Sequence, residues 1–204
     1  VKNPYLPDVF DVGYIGVGKY LSKKSGERTE AYARWLNMLG VCYNTHRNPK
    51  SASYAGCFVN PVWHNFQNFA EWYETHPSKG KGYELDKDIL FTGNKIYSKE
   101  TVCFVPREIN SALIKKDGKS NGYMIGVYKS LNSNRYKASI SVGVLNTYRK
   151  KFGMKTQYAT EIEAHQAYLK CKKAYLADLA NKCNGGIEQR VIDALMNYKV
   201  EITD

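Results

Sequence analysis

The feature that most constrains the fold is a block, residues 119–183, in which short alternating segments give way to one long helical segment. Strand-like patterns with turn-rich residues between them cover residues 123–129, 135–142 and 147–153. Thr160 and Glu163 then form a capping-box sequence, and apolar residues recur at helical spacing up to about Cys183. Those apolar residues are Ile162, Leu169, Leu176 and Leu179. The block therefore predicts a three-stranded antiparallel sheet packed on one helix.

The same block has an uneven distribution of charge. No acidic residue lies between Asp117 and Glu161, in a chain whose formal net charge is +11. On the second predicted strand, Arg135 and Lys137 share one face with two serines, while Tyr136, Ala138, Ile140 and Val142 share the other. Such a sheet buries its apolar face on the helix and presents its basic face to a polyanion. The alternative is a basic surface without a partner.

The block resembles the AP2 DNA-binding domain. The matching segments are G-V-Y in the first strand, R-Y-K-A-S-I in the second, and T-E-I-E-A-H-Q-A-Y at the start of the helix. In that family the sheet enters the DNA major groove, and its Arg, Lys and aromatic side chains contact bases and phosphates. The resemblance implies double-stranded DNA as the partner. The DNA-binding residues that we expect are Lys129, Arg135, Lys137, Arg149, Lys150 and Lys151.

The N-terminal half carries two helical patterns. Within residues 29–43, four apolar residues follow helical spacing: Tyr32, Trp35, Leu36 and Leu39. Asn60 and Pro61 predict the start of a second, aromatic-rich helix, since they suit its N-cap and first turn. Residues 1–28 are rich in Gly, Lys and Tyr, and we expect a basic arm there that orders on DNA.

An acidic segment follows these helices, where residues 83–100 read Y-E-L-D-K-D-I-L-F-T-G-N-K-I-Y-S-K-E. Residues 83–90 predict a strand on which Asp86 and Asp88 share one face. A turn at residues 92–95 leads to a second short strand, and Pro106 predicts the start of a helix. The segment therefore predicts a compact ββα unit.

This half resembles the HNH-like endonucleases encoded by bacteriophages, many of which join such a nuclease unit to an AP2-like domain. The matching segments are W-x-x-F-x-x-F, L-D-K-D and G-N-K-I-Y-S-K-E-T-V-C-F-V-P. The resemblance implies a divalent metal, Mg²⁺ or Mn²⁺, with Asp86 and Asn110 as ligands. It implies Asn94 as an orienting loop residue and Asp88 as a second ligand or orienting group.

One position departs from the family pattern, because Lys87 stands where the histidine base is expected. A lysine at its usual pKa is protonated and cannot abstract a proton. Three interpretations stay open: His64 or His76 reaches in from outside the unit, Asp88 or a metal-bound hydroxide acts as the base, or the unit binds DNA without cutting it. In each of them Lys87 can contact the phosphate.

We therefore expect an α+β chain with a basic arm (1–28), an HNH-like nuclease unit (29–116), an AP2-like domain (119–183) and a C-terminal helix or tail (187–204). The expected function is that of a metal-dependent phage-type DNA endonuclease, of which homing enzymes are one kind. The alternative is a sequence-specific DNA-binding regulator that does not cleave. A third interpretation is an inhibitor that binds an acidic partner with the basic face.

Composition indicates the cellular compartment and whether the cysteines are free. No apolar run reaches the roughly 18 residues needed to span a membrane, so no membrane association is expected. The five cysteines include no C-x-x-C pair, which argues against a zinc ribbon and against a disulfide framework. This pattern fits free thiols, which are expected in a cytoplasm. If a phage encodes the chain, we expect the cytoplasm of its bacterial host. The sequence leaves the oligomeric state open.

Overall fold

The computed structural model describes residues 3–44, 54–113, 122–140 and 142–199. The chain divides into two compact units, Val1–Arg107 and Glu108–Asp204. The division falls inside the segment 29–116 that the sequence predicted as one nuclease unit. Helices and small two-stranded sheets occur in both units, which confirms the expected α+β class.

The described residues of the first unit form two long helices and six short strands. In chain order its elements are β1 (Lys23–Lys24), β2 (Glu27–Arg28), α1 (Glu30–Tyr43), β3 (Phe58–Val59), a 3₁₀ turn (Pro61–His64), α2 (Phe66–Thr75), β4 (Glu84–Asp86), β5 (Ile96–Tyr97) and β6 (Cys103–Val105). Helix α3 (Arg107–Leu113) begins at the last residue of this unit.

Helices α1 and α2 form the core of the first unit. The Thr29 side chain caps α1 by accepting from the Tyr32 backbone N–H, and α1 covers the helix predicted in residues 29–43. The single helix predicted from Asn60 is interrupted, because the Asn65 side chain accepts from the Gln67 N–H and starts α2 there. Trp35 is fully buried, and its indole N–H donates to the Trp63 carbonyl at 2.6 Å.

Part of the predicted N-terminal arm packs against this core. Val9, Phe10, Val12, Ile15 and Tyr20 pack against it. Gly13 lies so close to α1 that an added Cβ would be 2.5 Å from Leu39 Cδ1. The segment 9–20 is therefore folded on the protein, since these apolar residues pack on the aromatic core. Its expected role on DNA stays a prediction.

The strands around the acidic segment pair differently from the predicted hairpin. Strand β4 pairs antiparallel with β6, whereas β5 pairs in parallel with β3. The predicted strand at 83–90 is shortened to Glu84–Asp86. Because Asp88 follows the end of this strand, the expectation that Asp86 and Asp88 share a strand face is wrong. In chain order β4, β5 and β6 precede α3. Strands are therefore followed by a helix as predicted, but the strands pair differently.

In the second unit, the part of the chain that the structure describes forms one hairpin and three helices besides α3. Its elements are β7 (Val127–Lys129), β8 (Tyr136–Ala138), α4 (Val142–Phe152), α5 (Glu161–Lys182) and α6 (Gln189–Met196). The third strand predicted at residues 147–153 is wrong, because these residues lie mostly in α4. Tyr148 is buried there, with its ring centroid 6.3 Å from that of Tyr175 on α5. Tertiary packing of this helical face overrides the short strand-like pattern.

A remnant of a third strand lies after α4. Tyr136 and Tyr158 form an antiparallel bridge, with N–H to carbonyl distances of 3.0 and 2.8 Å. The predicted capping box of α5 is confirmed: Thr160 accepts from the Glu163 N–H, and the Glu163 carboxylate accepts from the Thr160 N–H. Ile162 is 61% exposed and does not belong to the buried face as predicted. Within the described part of the chain, every helix is too short or too polar to span a bilayer.

Candidate functional site

The first candidate site is the loop that follows β4. The Asp86 carboxylate accepts backbone N–H bonds from Asp88 at 2.7 Å and from Ile89 at 2.8 Å. These two bonds form a turn that ends the strand, and Asp side chains commonly form such turns. Both bonds use the same oxygen, Oδ1, so these bonds leave the second oxygen, Oδ2, unused. Burial raises the pKa of Asp86, and the two N–H bonds partly oppose that shift.

The Asn94 side chain closes this loop. Its Nδ2 donates to the Lys87 carbonyl at 2.8 Å and to the Ile96 carbonyl at 2.7 Å. Its Oδ1 accepts from the Ile96 N–H at 3.1 Å. One amide therefore joins the backbone after β4 to the start of β5. Asn94 fixes the loop that carries Asp86, Lys87 and Asp88, hereafter the Asp86–Asn94 loop.

Lys87 is buried inside this loop, which the sequence did not indicate. Its side chain is 4% exposed, and its Nζ donates to Asp88 Oδ2 at 2.7 Å and to the Asn94 carbonyl at 3.0 Å. Burial alone would lower the pKa of Lys87, but the hydrogen bond and charge of Asp88 raise it above the usual value. Lys87 is therefore a protonated loop residue, unsuited to act as a base. Because its side chain is almost fully buried, Lys87 is not accessible for the expected contact with a phosphate.

Residues distant in sequence complete the surroundings of Lys87. Its Nζ lies 5.7 Å from the centroid of the Tyr54 ring. Cys57 and Cys42 are also close enough to interact electrostatically with the ammonium. Burial raises the pKa of Cys42 to about 12, so this thiol stays protonated. No local sequence signal relates these residues to the acidic segment, because Cys42 lies in α1 and Tyr54 and Cys57 lie between α1 and β3.

The carboxylates of the loop do not by themselves form a metal site. No group of three or more His, Cys, Asp or Glu side chains within the described ranges is arranged to hold a metal ion. The Lys87 ammonium also bonds one of the two carboxylates, and a cation there competes with a metal for them. Asn110, the other expected ligand, lies on α3 in the second unit.

The two candidate histidines have structural partners. His64 Nε2 lies 3.3 Å from the Tyr43 hydroxyl, and burial lowers the pKa of His64. The Tyr43 hydroxyl in turn accepts from the Val59 N–H at 2.9 Å. His76 accepts from the Ser78 N–H at 3.1 Å and packs edge-on against Phe104. His64 is therefore held by α1 and β3, and its expected catalytic role stays a prediction.

The second candidate site is the hairpin formed by β7 and β8, which has an inner and an outer face. On the inner face Val127 pairs with Ala138, and Ala138 packs in a cluster with Ala167 and Tyr168 of α5. The predicted packing of the apolar sheet face on this helix is confirmed. The His165 ring N–H donates to the Ile125 carbonyl at 2.8 Å and ties the start of the hairpin to α5.

The outer face of this hairpin is cationic. Tyr128 pairs directly with Lys137, whose Nζ lies 6.0 Å from the centroid of the Tyr128 ring. Arg135 directly precedes β8, where its carbonyl accepts from the Ser130 N–H and closes the turn. Tyr128 is 41% exposed, and Arg135 is exposed. The first acid after the hairpin in the sequence, Glu161, accepts from the Met124 N–H before β7 begins.

The six expected DNA-binding residues fall into two groups. Lys129 is exposed on the hairpin, although its partner across the ladder is Tyr136 on the other face. The remaining three, Arg149, Lys150 and Lys151, lie in the last turn of α4 and not on a strand. Lys151 Nζ is 3.4 Å from Asp178, which also accepts the Tyr148 hydroxyl at 2.6 Å. Of the six residues, Lys137 lies on the outer face, Arg135 is exposed directly before β8, and Lys129 is exposed at the end of β7, so the expected single basic sheet surface is reduced to the hairpin.

Comparisons with protein-family models, with curated proteins and with solved structures give no match to this chain. The two family resemblances stay predictions from the residues that carry them.

Proposed function

We propose that this chain binds double-stranded DNA through the outer face of the β7–β8 hairpin. The observation that carries the proposal is the two-sided hairpin, with Val127 and Ala138 buried, Lys137 on the opposite face and the exposed Arg135 directly before β8. Between Asp117 and Glu161 no acidic residue offsets these charges. Arg and Lys side chains that neutralise phosphates release counterions, which is the main source of affinity for DNA without sequence preference.

The dependence of affinity on salt tests this proposal. The double variant Arg135→Ala, Lys137→Ala loses two phosphate contacts, so its log–log salt slope should be shallower by about 1.8. Fluorescence anisotropy of a labelled duplex, titrated at several salt concentrations, measures the slope. An unchanged slope would reject the hairpin as the binding face.

A control variant must lose the same charge elsewhere. Lys79→Ala with Lys99→Ala removes two lysines that lie beside acids, Glu74 and Glu100, in the first unit. Because these lysines are not on the hairpin, the control should keep the wild-type slope. An equal change in both double variants would indicate an effect of net charge alone.

A second candidate function is DNA cleavage by an HNH-like reaction at the Asp86–Asn94 loop. The observation that favours it is the Asp86 carboxylate, which commits Oδ1 to the backbone while Asn94 fixes the loop around it. A carboxylate held in this way suits binding of a divalent cation, Mg²⁺ or Mn²⁺, if further ligands join it. Lys87 argues against cleavage, because a buried ammonium beside Asp88 favours a loop that does not cut DNA.

Supercoiled plasmid incubated with the protein and Mg²⁺ or Mn²⁺ tests the cleavage proposal. The matched variant is Asp86→Asn, because its side-chain oxygen still accepts the N–H bonds from Asp88 and Ile89 while the charge is removed. Cutting by the wild type that the variant lacks would support an endonuclease. Equal cutting by both proteins would indicate a contaminant. If neither cuts while both bind DNA, the function is that of a DNA-binding regulator.

A further inference from the structure

The turn between β7 and β8 carries an exposed leucine at its tip. The turn is closed by a hydrogen bond from the Ser130 N–H to the Arg135 carbonyl at 2.8 Å. Leu131 is 101% exposed, which makes it the most exposed large apolar side chain among the described residues of the second unit. Ile162 follows at 61% and Met196 at 46%. The fold therefore gives Leu131 no packing role.

The surroundings of Leu131 set it apart from an ordinary exposed apolar residue. Single apolar side chains are common on protein surfaces and usually need no explanation. Here Lys129 and Arg135 flank the turn on either side, and the cationic outer face continues to Lys137. Cations that bind phosphates along a hairpin bring its tip to the bases between those phosphates. The only apolar side chain of the turn then faces stacked base pairs.

We infer that Leu131 inserts as a wedge between adjacent base pairs of the bound DNA, which unwinds and kinks the duplex. Proteins that deform DNA commonly use apolar side chains such as Leu, Ile, Met and Phe in this way. The inference rests on the proposed binding of DNA by the hairpin and adds the way in which the bound DNA is deformed. We assign a base step of DNA as the partner of Leu131, because the positive charge around the turn favours a polyanion.

The effect of this wedge on affinity is small compared with its effect on DNA shape. Burial of a leucine side chain favours binding, whereas unstacking of a base step opposes it by a similar amount. Leu131→Ser should therefore change the affinity for DNA by no more than about threefold. The deformation itself should be lost, since serine supplies no apolar surface to fill the opened step. A measurement of DNA shape is accordingly the test.

The change in linking number of a plasmid provides this measurement without a known target sequence. A closed circular plasmid is relaxed by topoisomerase I in the presence of the protein, the protein is removed, and the topoisomers are separated on a gel. Unwinding by wild-type protein should leave negative supercoils that increase with protein concentration. Leu131→Ser should remove this shift, whereas Leu131→Phe should retain it.

The control variant is Ile162→Ser, which replaces another exposed apolar residue of the same unit away from the hairpin tip. It should shift the linking number as the wild type does. The inference is overturned if Leu131→Ser shifts it equally, or if wild-type protein binds the plasmid without any shift. Absence of binding, seen in a gel-shift assay of the same plasmid, would overturn the proposed function as well, so the two failures are distinguishable.

Discussion

Replacing Asn94 by alanine removes three hydrogen bonds from the Asp86–Asn94 loop in a single step. The carbonyls of Lys87 and Ile96 lose a donor, and the Ile96 N–H loses an acceptor. Each bond contributes about 1 kcal/mol net, and Asn94 is only half-buried, so water restores part of the loss. We expect the free energy of unfolding of the first unit to fall by about 2–3 kcal/mol, or roughly 10–20 °C in Tm.

Tryptophan fluorescence during urea unfolding isolates this unit. The three tryptophans of the chain, Trp35, Trp63 and Trp72, all lie in residues 1–107. Asn68→Ala is the matched control, because the exposed Asn68 amide makes one bond, to the Val62 carbonyl at 2.9 Å. Its expected cost is about 1 kcal/mol or less. A loss for Asn94→Ala that is no larger than the control would refute the role of the Asn94 amide in closing the loop.

Two further predictions concern a buried charge and a close approach of backbone to an aromatic ring. Because Asp88 raises the pKa of Lys87, the ammonium stabilises the fold fully below about pH 10.4 and less as the pH rises beyond it. The stability difference between wild type and Lys87→Met, followed by tryptophan fluorescence, should therefore shrink with rising alkaline pH; a constant difference would contradict the assignment. Gly126→Ala should destabilise the second unit by about 3 kcal/mol in thermal unfolding, because its φ is +72° and the added Cβ would meet the Tyr168 ring at 2.2 Å. Gly153→Ala, with φ +59° and no atom within 4 Å, should lose only about 1 kcal/mol.

The start of α5 was predictable because its determinants are local. Thr160 caps α5 through a bond to a backbone group three residues away, so a short sequence pattern contains the whole interaction. The inner and outer faces of the hairpin were predictable for a similar reason. Alternation along β8 places Ala138 inward and Lys137 outward whatever the partner strand is.

The third predicted strand shows where this reasoning stops. Residues 147–153 have a short pattern that suits either a strand or a helix. Tyr148 decides the outcome, because it packs against Tyr175 of α5 and bonds Asp178, residues that lie far along the chain. This choice also moved Arg149, Lys150 and Lys151 from the expected sheet surface to α4.

The sequence predicted a strand to residue 90 and a turn at residues 92–95, whereas the strand ends at Asp86 and Asn94 closes a longer loop. The chemistry of this segment was not readable from its own residues. A lysine between two aspartates indicates a solvated side chain, whereas Lys87 is buried against Asn94 and beneath the Tyr54 ring. Tyr54 comes from a different part of the chain, so no pattern within residues 83–100 reports it. Burial is what makes Lys87 a protonated structural group.

The sequence by itself determined the α+β class, the capped helices and the cationic character of the β7–β8 surface, since composition and periodicity act over a few residues. Only the tertiary structure decided that β5 pairs with β3, that β4 pairs with β6, and that Lys87 is buried. The physical reason is that an extended segment offers the same backbone donors and acceptors to any partner. Which partner takes them depends on how distant parts of the chain pack together.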